Sequence, residues 1–196
     1  ILGPVTRNFS GVGVLVALAI GYKVVAAARN AEKLKVLERY HGAKERLTMV
    51  VLTGDTDVGA KALKNTTGGK GVHDFLDYSP SSLKEELPFF HGRSHFFRGD
   101  GEYVLLRGAF ADFKIPYQET ILSELKIRGK FMYEREHIER FSRMVDTGSL
   151  KINLEAGLRD GFKYYSLDQV KMALYMDPGW AFGHQSLFTP NKEKAH

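Results

Sequence analysis

A chain of 196 residues with 43% hydrophobic content carries enough apolar material for a single core, and its 12% aromatic share separates it from disordered sequences. The net charge of +5 is mild, with Lys and Arg interspersed among Asp and Glu, a pattern of solvated helix faces rather than of a nucleic-acid footprint. The absence of cysteine excludes disulfides and any thiolate-ligated metal and is compatible with a cytoplasmic protein.

The chain opens Ile1-Leu2-Gly3-Pro4-Val5-Thr6-Arg7-Asn8-Phe9-Ser10-Gly11 and continues through small apolar residues to Gly21, which reads as strand, tight turn and helix. The apolar stretch from Gly11 to Ile20 is too short for a bilayer and follows no basic leader, so neither a membrane span nor a signal peptide is expected. Starting directly on a strand pattern points to an upstream segment missing, cleaved or never present. Residues 23–28 read as a buried strand, 31–40 as a helix and 47–52 as a further strand. Asp55 is placed to cap a helix running to about Asn65. A glycine-rich loop then leads to a strand at 72–78. Residues 79–97 read as partly helical, interrupted by Pro88.

Another strand is expected at 102–107, stopped by Gly108. Between Leu125 and Phe131, apolar Leu125 and Ile127 alternate with Lys126, Arg128 and Lys130, the period-2 pattern of a half-exposed strand. A helix at 134–147 ended by Gly148 follows, then a helix at 167–176 and an apolar run at 185–189. Strands separated by helical segments imply right-handed crossovers. The expected architecture is a Rossmann-like, doubly wound α/β fold with a parallel sheet and helices on both faces, spanning 1–190 with a frayed tail at 191–196.

Several stretches together resemble the nucleotide-binding half of the medium-chain dehydrogenase/reductase family, in particular its fungal alcohol-dehydrogenase-like branch. They include Phe9-Ser10-Gly11 with the apolar helix after it, Val24-Val25-Ala26-Ala27-Ala28-Arg29-Asn30, Leu52-Thr53-Gly54-Asp55 and Leu76-Asp77-Tyr78-Ser79-Pro80. The Ile115-Pro116-Tyr117 turn and Ile127-Arg128-Gly129-Lys130-Phe131-Met132-Tyr133-Glu134-Arg135-Glu136 extend the match over nearly the whole chain. The family's GroES-like catalytic domain, which positions substrate and in zinc enzymes supplies the ligands, has no counterpart here. The seven histidines, His73 and His137 among them, are dispersed without ligand spacing, so no metal site is expected.

A dinucleotide fingerprint needs one glycine for the tight turn, one where the pyrophosphate meets the backbone, and one for close helix packing. Counting back from Gly21 in the family's G-x-x-G-x-x-G form places Pro4, Arg7 and Ser10 at those positions. Pro4 has no N–H to donate, and Arg7 either obstructs the phosphates or pairs with them. Ser10 is suited to capping the helix and to donating to a phosphate. A one-residue slip makes Gly3 the turn glycine, with Gly11 and Gly13 easing helix packing. The cofactor-contact candidates in this stretch are therefore Gly3, Thr6, Arg7, Ser10 and Gly11.

At the end of the second strand, where NAD enzymes place an acidic residue, stand Arg29 and Asn30. A guanidinium there suits a 2′-phosphate and so NADP(H), or else Arg29 simply ends a strand in solvent. The crevice beyond the strand ends gathers Thr53, Gly54, Asp55 and Gly108, together with Asp77, Tyr78 and Ser79. The last three are candidate acid, base or hydrogen-bonding groups, or alternatively a strand exit with a helix cap at Ser79.

Three functions compete. One is an NADP(H)-dependent oxidoreductase or its isolated, degraded cofactor domain. Another is a repurposed non-redox enzyme, an isomerase, cyclase or lyase acting on a small apolar metabolite in the old cleft. Phe89, Phe90, Phe96, Phe97, Tyr103, Phe110 and Phe113 fit such a ligand or an ordinary core. The last is a noncatalytic dimeric binding protein. The resemblance implies a homodimer through the edge strand between Leu125 and Phe131, the partner otherwise being a small molecule, with no nucleic acid or membrane.

Overall fold

The computed structural model describes residues 1–5, 8–40, 42–79, 97–106, 115, 117–152, 162–176 and 185–189. A six-stranded, wholly parallel sheet forms its centre. In chain order its strands are β1 (Leu2–Gly3), β2 (Val24–Ala28), β3 (Leu47–Val51), β4 (Val72–Asp77), β5 (Phe97–Leu105) and β6 (Lys126–Gly129). They lie in the order β3-β2-β1-β4-β5-β6. The chain builds outward from β1 in one direction, returns, and builds outward in the other, so the order reverses between β1 and β4. This is the doubly wound Rossmann arrangement that the alternation of apolar and amphipathic segments implies.

The helices are α1 (Asn8–Ala19), α2 (Ala31–Lys35, continued by a 3₁₀ turn Val36–Arg39), α3 (Ala43–Arg46), α4 (Thr56–Asn65), α5 (Tyr117–Leu122), α6 (Arg135–Asp146) and α7 (Val170–Met176, preceded by a 3₁₀ turn Leu167–Gln169). Strand β2 shows how the faces are assigned. All five of its residues are buried, and their side chains alternate between two cores. Val24, Ala26 and Ala28 join Leu2, Val14, Leu18, Leu34 and Leu37 on the α1 side. Val25 and Ala27 join Val50, Leu63, Phe75 and Tyr103 on the α4 side.

Local chemistry sets the helix ends. The Asp55 carboxylate accepts from the N–H groups of Asp57 and Val58, both at 2.9 Å, as its spacing predicts for the cap of α4. Asn30 caps α2 in the same way through Lys33 N–H, at 2.9 Å. At the far end of α1, the Leu18 carbonyl accepts both from the Gly21 N–H at 3.1 Å and from Arg46 Nη1 at 2.6 Å. Helix α6 ends at Gly148, whose φ of 71° lies in the left-handed region.

The strand expected at 102–107 instead begins at Phe97 and ends at Leu105. Gly99 and Gly101 argue against a strand on propensity, but the register shifts between Val72 and Asp74, and a Cβ at Gly101 would crowd Phe97 and the His73 carbonyl. Most of the helix expected at 79–97 lies outside the described residues, as do Gly108 and the tail at 191–196. The run at 185–189 forms β8 (Gln185–Thr189), which pairs in parallel with β7 (Phe162–Ser166) in a separate two-stranded sheet. Strand β7 and helix α5 are additional to the elements read from the sequence. No helix among the described residues is long and apolar enough to cross a membrane.

Candidate functional site

In an open doubly wound sheet, ligands bind outside the carboxyl ends of the strands where the order reverses. Here that point is the junction of β1, β4 and α1. Tyr78, the first residue beyond β4, donates its N–H to the Gly3 carbonyl at 2.8 Å and ties the two strand ends together. Gly3 is the last residue of β1 and not a left-handed turn. A Cβ there would meet Ala27 and Phe75 at ordinary contact distances of 3.5–3.6 Å.

The first two residues beyond Gly3 offer a ligand no backbone donor. Pro4 has no N–H, and the N–H of Val5 is committed to the Ala27 carbonyl at 3.0 Å. Thr6 and Arg7 lie outside the described residues. Ser10 does not cap α1, because the helix already includes Asn8; it is buried within the first turns, and Gly11 follows it, also buried. The helix's close approach falls instead to Gly13. A Cβ on that residue would run into the Tyr78 hydroxyl and lie 3.0 Å from its Cζ.

Asp77 is fully buried and held at both carboxylate oxygens. Tyr103 donates its hydroxyl to Oδ2 and Ser79 its N–H to Oδ1, both at 2.8 Å. The carboxylate thereby joins β4 to β5 and fixes the turn that carries Tyr78. The Tyr78 ring is half-buried, with its hydroxyl turned inward over Gly13, and burial pushes that phenol up to about 12. The hydroxyl of Ser79 is buried without a hydrogen-bond partner among the described residues.

At the other end of the crevice, Arg29 and Asn30 follow β2, both exposed. The Asn30 side chain is engaged as the α2 cap. Thr53 and Gly54 follow β3 in solvent, with Gly54 at φ 95°, and Asp55 is engaged as the α4 cap. The structure thus brings Gly3, Ser10, Gly11, Asp77, Tyr78 and Ser79 to one end of the sheet with Arg29, Asn30, Thr53, Gly54 and Asp55, while Gly108 falls outside the described residues. Of the aromatic candidates, Tyr103 is committed to Asp77 and Phe97 to the core, and Phe89, Phe90, Phe96, Phe110 and Phe113 are outside the described residues. No cluster of His, Asp and Glu able to hold a metal occurs among the described residues.

One residue at this site was not singled out by sequence. Phe9, in the first turn of α1, is 70% exposed and stands edge-on to Tyr78, with ring centroids 5.3 Å apart and planes at 75°. Its apolar character in a helix pattern reads as core, and only the exposure separates it from Val14 and Leu18.

The strand order, the reversal point and the position of α1 define a doubly wound, Rossmann-like α/β domain. Solved structures bear this out. An alcohol dehydrogenase from the hyperthermophilic archaeon Aeropyrum pernix superposes with a TM-score of 0.68 at 18% identity over 97% of this chain and 49% of that one. A protein of Sinorhizobium meliloti 1021 assigned as a zinc-binding dehydrogenase and solved with NADP matches at 0.68 and 19% identity, over 94% of this chain and 50% of that one. A quinone oxidoreductase of Pseudomonas syringae pv. tomato DC3000 matches at 0.57 and 14%, over 92% and 53%. The chain therefore spans about half the length of these structures. No protein-family model and no curated protein sequence matches it.

Proposed function

We propose that the chain is the cofactor-binding domain of an NADP(H)-dependent oxidoreductase of the alcohol-dehydrogenase-like type, in the fungal branch that its motifs resemble. The observation carrying this reading is the exposed Arg29 at the carboxyl end of β2, one strand from the reversal point of a sheet in the order β3-β2-β1-β4-β5-β6. A dinucleotide laid across that edge puts its adenosine ribose at the end of β2, where a guanidinium pairs with a 2′-phosphate. The turn at residues 77–79 stands at the crevice end, held by the buried Asp77 carboxylate. Hydride transfer also requires a substrate held against the cofactor, which a further domain would supply.

The reading predicts NADPH binding in the micromolar range by isothermal titration, with NADH weaker. Substituting Arg29→Glu should weaken NADPH roughly ten- to a hundredfold and leave NADH nearly unchanged. No heat with either nucleotide would remove the reading. A second reading, a non-redox isomerase, cyclase or lyase working in the same crevice, draws on the turn after β1. Pro4 lacks an N–H and the Val5 N–H is bound to Ala27, so the first two residues of that turn give a pyrophosphate no donor.

A further inference from the structure

We infer that His137 is a pH-sensitive latch: its neutral imidazole closes the turn between β6 and α6, and protonation of that ring opens the turn. The turn holds three consecutive exposed apolar side chains, with Phe131, Met132 and Tyr133 at 87%, 64% and 63% exposure. Burial therefore does little to hold it. Its backbone is also disfavoured at one point, since Met132 has φ 56°, in the left-handed region that a side-chain-bearing residue seldom adopts. Because the sheet is parallel, the turn leaves β6 at the same edge of the sheet as Tyr78 and Arg29.

Polar contacts hold what burial does not. At the start, the Lys130 N–H donates to the Leu105 carbonyl at 3.0 Å. Across the turn, Lys130 Nζ donates to Glu134 Oε1 at 2.7 Å. At the end, Glu134 and His137 bond reciprocally. The His137 N–H donates to the Glu134 carbonyl at 3.0 Å, and the Glu134 N–H donates to His137 Nδ1, also at 3.0 Å. Glu134 is the residue before α6, and His137 stands where a Glu or Gln ordinarily reaches back to that N–H. An imidazole can do so only while Nδ1 carries no proton. Once protonated, it sets one N–H donor against another and places a cation at the positive end of the helix.

The charged groups around the ring are Glu134 and Lys130 in the turn, with Glu136 beside it and Arg140 one helical turn on. Arg135 is paired with Glu139 at 3.2 Å. Through Phe141, Met144 and Val145, α6 packs on the core side of α1, a helix with no charged residue. These charges govern where the ring titrates, whereas the Nδ1 acceptor decides which state closes the turn.

The test is an NMR titration of the parent chain from pH 8 to 5. The neutral His137 ring should carry its proton on Nε2. The Glu134 amide signal should move with the midpoint of the His137 ring, and the amides of residues 131–133 should follow it. Exchange of the Glu134 N–H, corrected for its intrinsic pH dependence, should quicken about five- to tenfold across that midpoint. His137→Gln supplies an acceptor that does not titrate and should keep exchange slow throughout, while His137→Ala should exchange fast at both extremes. A Glu134 amide that ignores the His137 midpoint, or a pH response that persists in His137→Gln, overturns the latch.

Discussion

Strands β2 and β6 have the same orientation in the same sheet, yet different forces hold them. Every side chain of β2 is buried, divided between two cores, and none is charged. Strand β6 is the outer edge: Lys126, Arg128 and Gly129 are exposed, and only Ile127 packs partly against the core. It is attached by ladder bonds to β5 and by a partly exposed ion pair from Arg128 to Glu102 at 2.9 Å, while just beyond its end Lys130 and Glu134 pair locally at 2.7 Å. Removal of apolar surface from water stabilises the inner strands, at about 25 cal/mol per Å², while screened surface pairs contribute about 1 kcal/mol or less. Between these two regimes lie β4 and β5, which Asp77 and Tyr103 bridge with a buried polar contact.

Removing a buried ring at that boundary should give the largest effect. Phe75 on β4 is fully buried and stacks on Tyr103 with centroids 5.0 Å apart and planes at 14°. Phe75→Ala deletes that contact and leaves a cavity beneath the Asp77 bridge, which should cost about 3–5 kcal/mol in urea unfolding. That is a large share of the roughly 5–15 kcal/mol that stabilises a typical domain. A loss below about 1 kcal/mol would mean that the core on the α4 side does not hold this half of the sheet.

A smaller effect on stability but a clear one on assembly is expected at the outer edge. An unpaired edge strand beside exposed apolar residues is a liability unless covered, and Leu122 and Phe131, the latter 87% exposed, flank β6. We propose that a second copy of the chain covers this edge. The parent should then elute as a dimer in size-exclusion chromatography and Leu122→Glu/Phe131→Glu as a monomer with an almost unchanged melting temperature. A monomeric parent would refute the pairing. Ile127 is a poorer site for this test, because it packs partly against the core and its loss would unfold the edge along with the contact.

The same contrast explains what was legible in the sequence. Alternating apolar and amphipathic segments are enough to place β2, β3, β4, α4 and α6 within a residue or two, because burial on two faces leaves a strong periodic signal. Strand β5 starts at Phe97 and not at Glu102, where the sequence pattern places it, because its first half carries two glycines that a register shift makes useful. Strand β7, Phe-Lys-Tyr-Tyr-Ser, pairs among the described residues with β8, about 20 residues on, and no local pattern announces such a partner. At the site, the exposed place of Arg29 after β2 and the Asp55 cap follow from position and residue type, whereas the Asn30 cap comes from the structure. The close approach of α1 at Gly13 agrees with the packing role its sequence position suggests, but its partner Tyr78 and the pairing of Phe9 with Tyr78 do not follow from sequence, since they arise from a contact between α1 and the end of β4 about 65 residues apart, a distance set by the fold alone.

The smallest predicted effect tests how weak the outer edge is. Lys130 Nζ donates to Glu134 Oε1 at 2.7 Å, four residues apart on exposed chain, and this contact holds the Glu134 carboxyl below its ordinary value of 4.5, with a lesser pull from His137. A carboxyl lowered in the folded state adds stability above its unfolded pKa, and that contribution is lost as the pH falls through its folded pKa. Glu134 and Lys130 are both open to solvent, so the contribution to unfolding should be near the limit of measurement and should shrink further in about 1 M salt. The titration itself is easier to resolve. Followed by NMR at the Glu134 side chain, the midpoint should fall below 4.5 in the parent and return toward 4.5 in Lys130→Ala. A midpoint unmoved by that substitution would show that the pair does not persist in solution. In that case β6 would depend on its ladder to β5 and on whatever covers its outer edge, and the contrast with β2 would be sharper still.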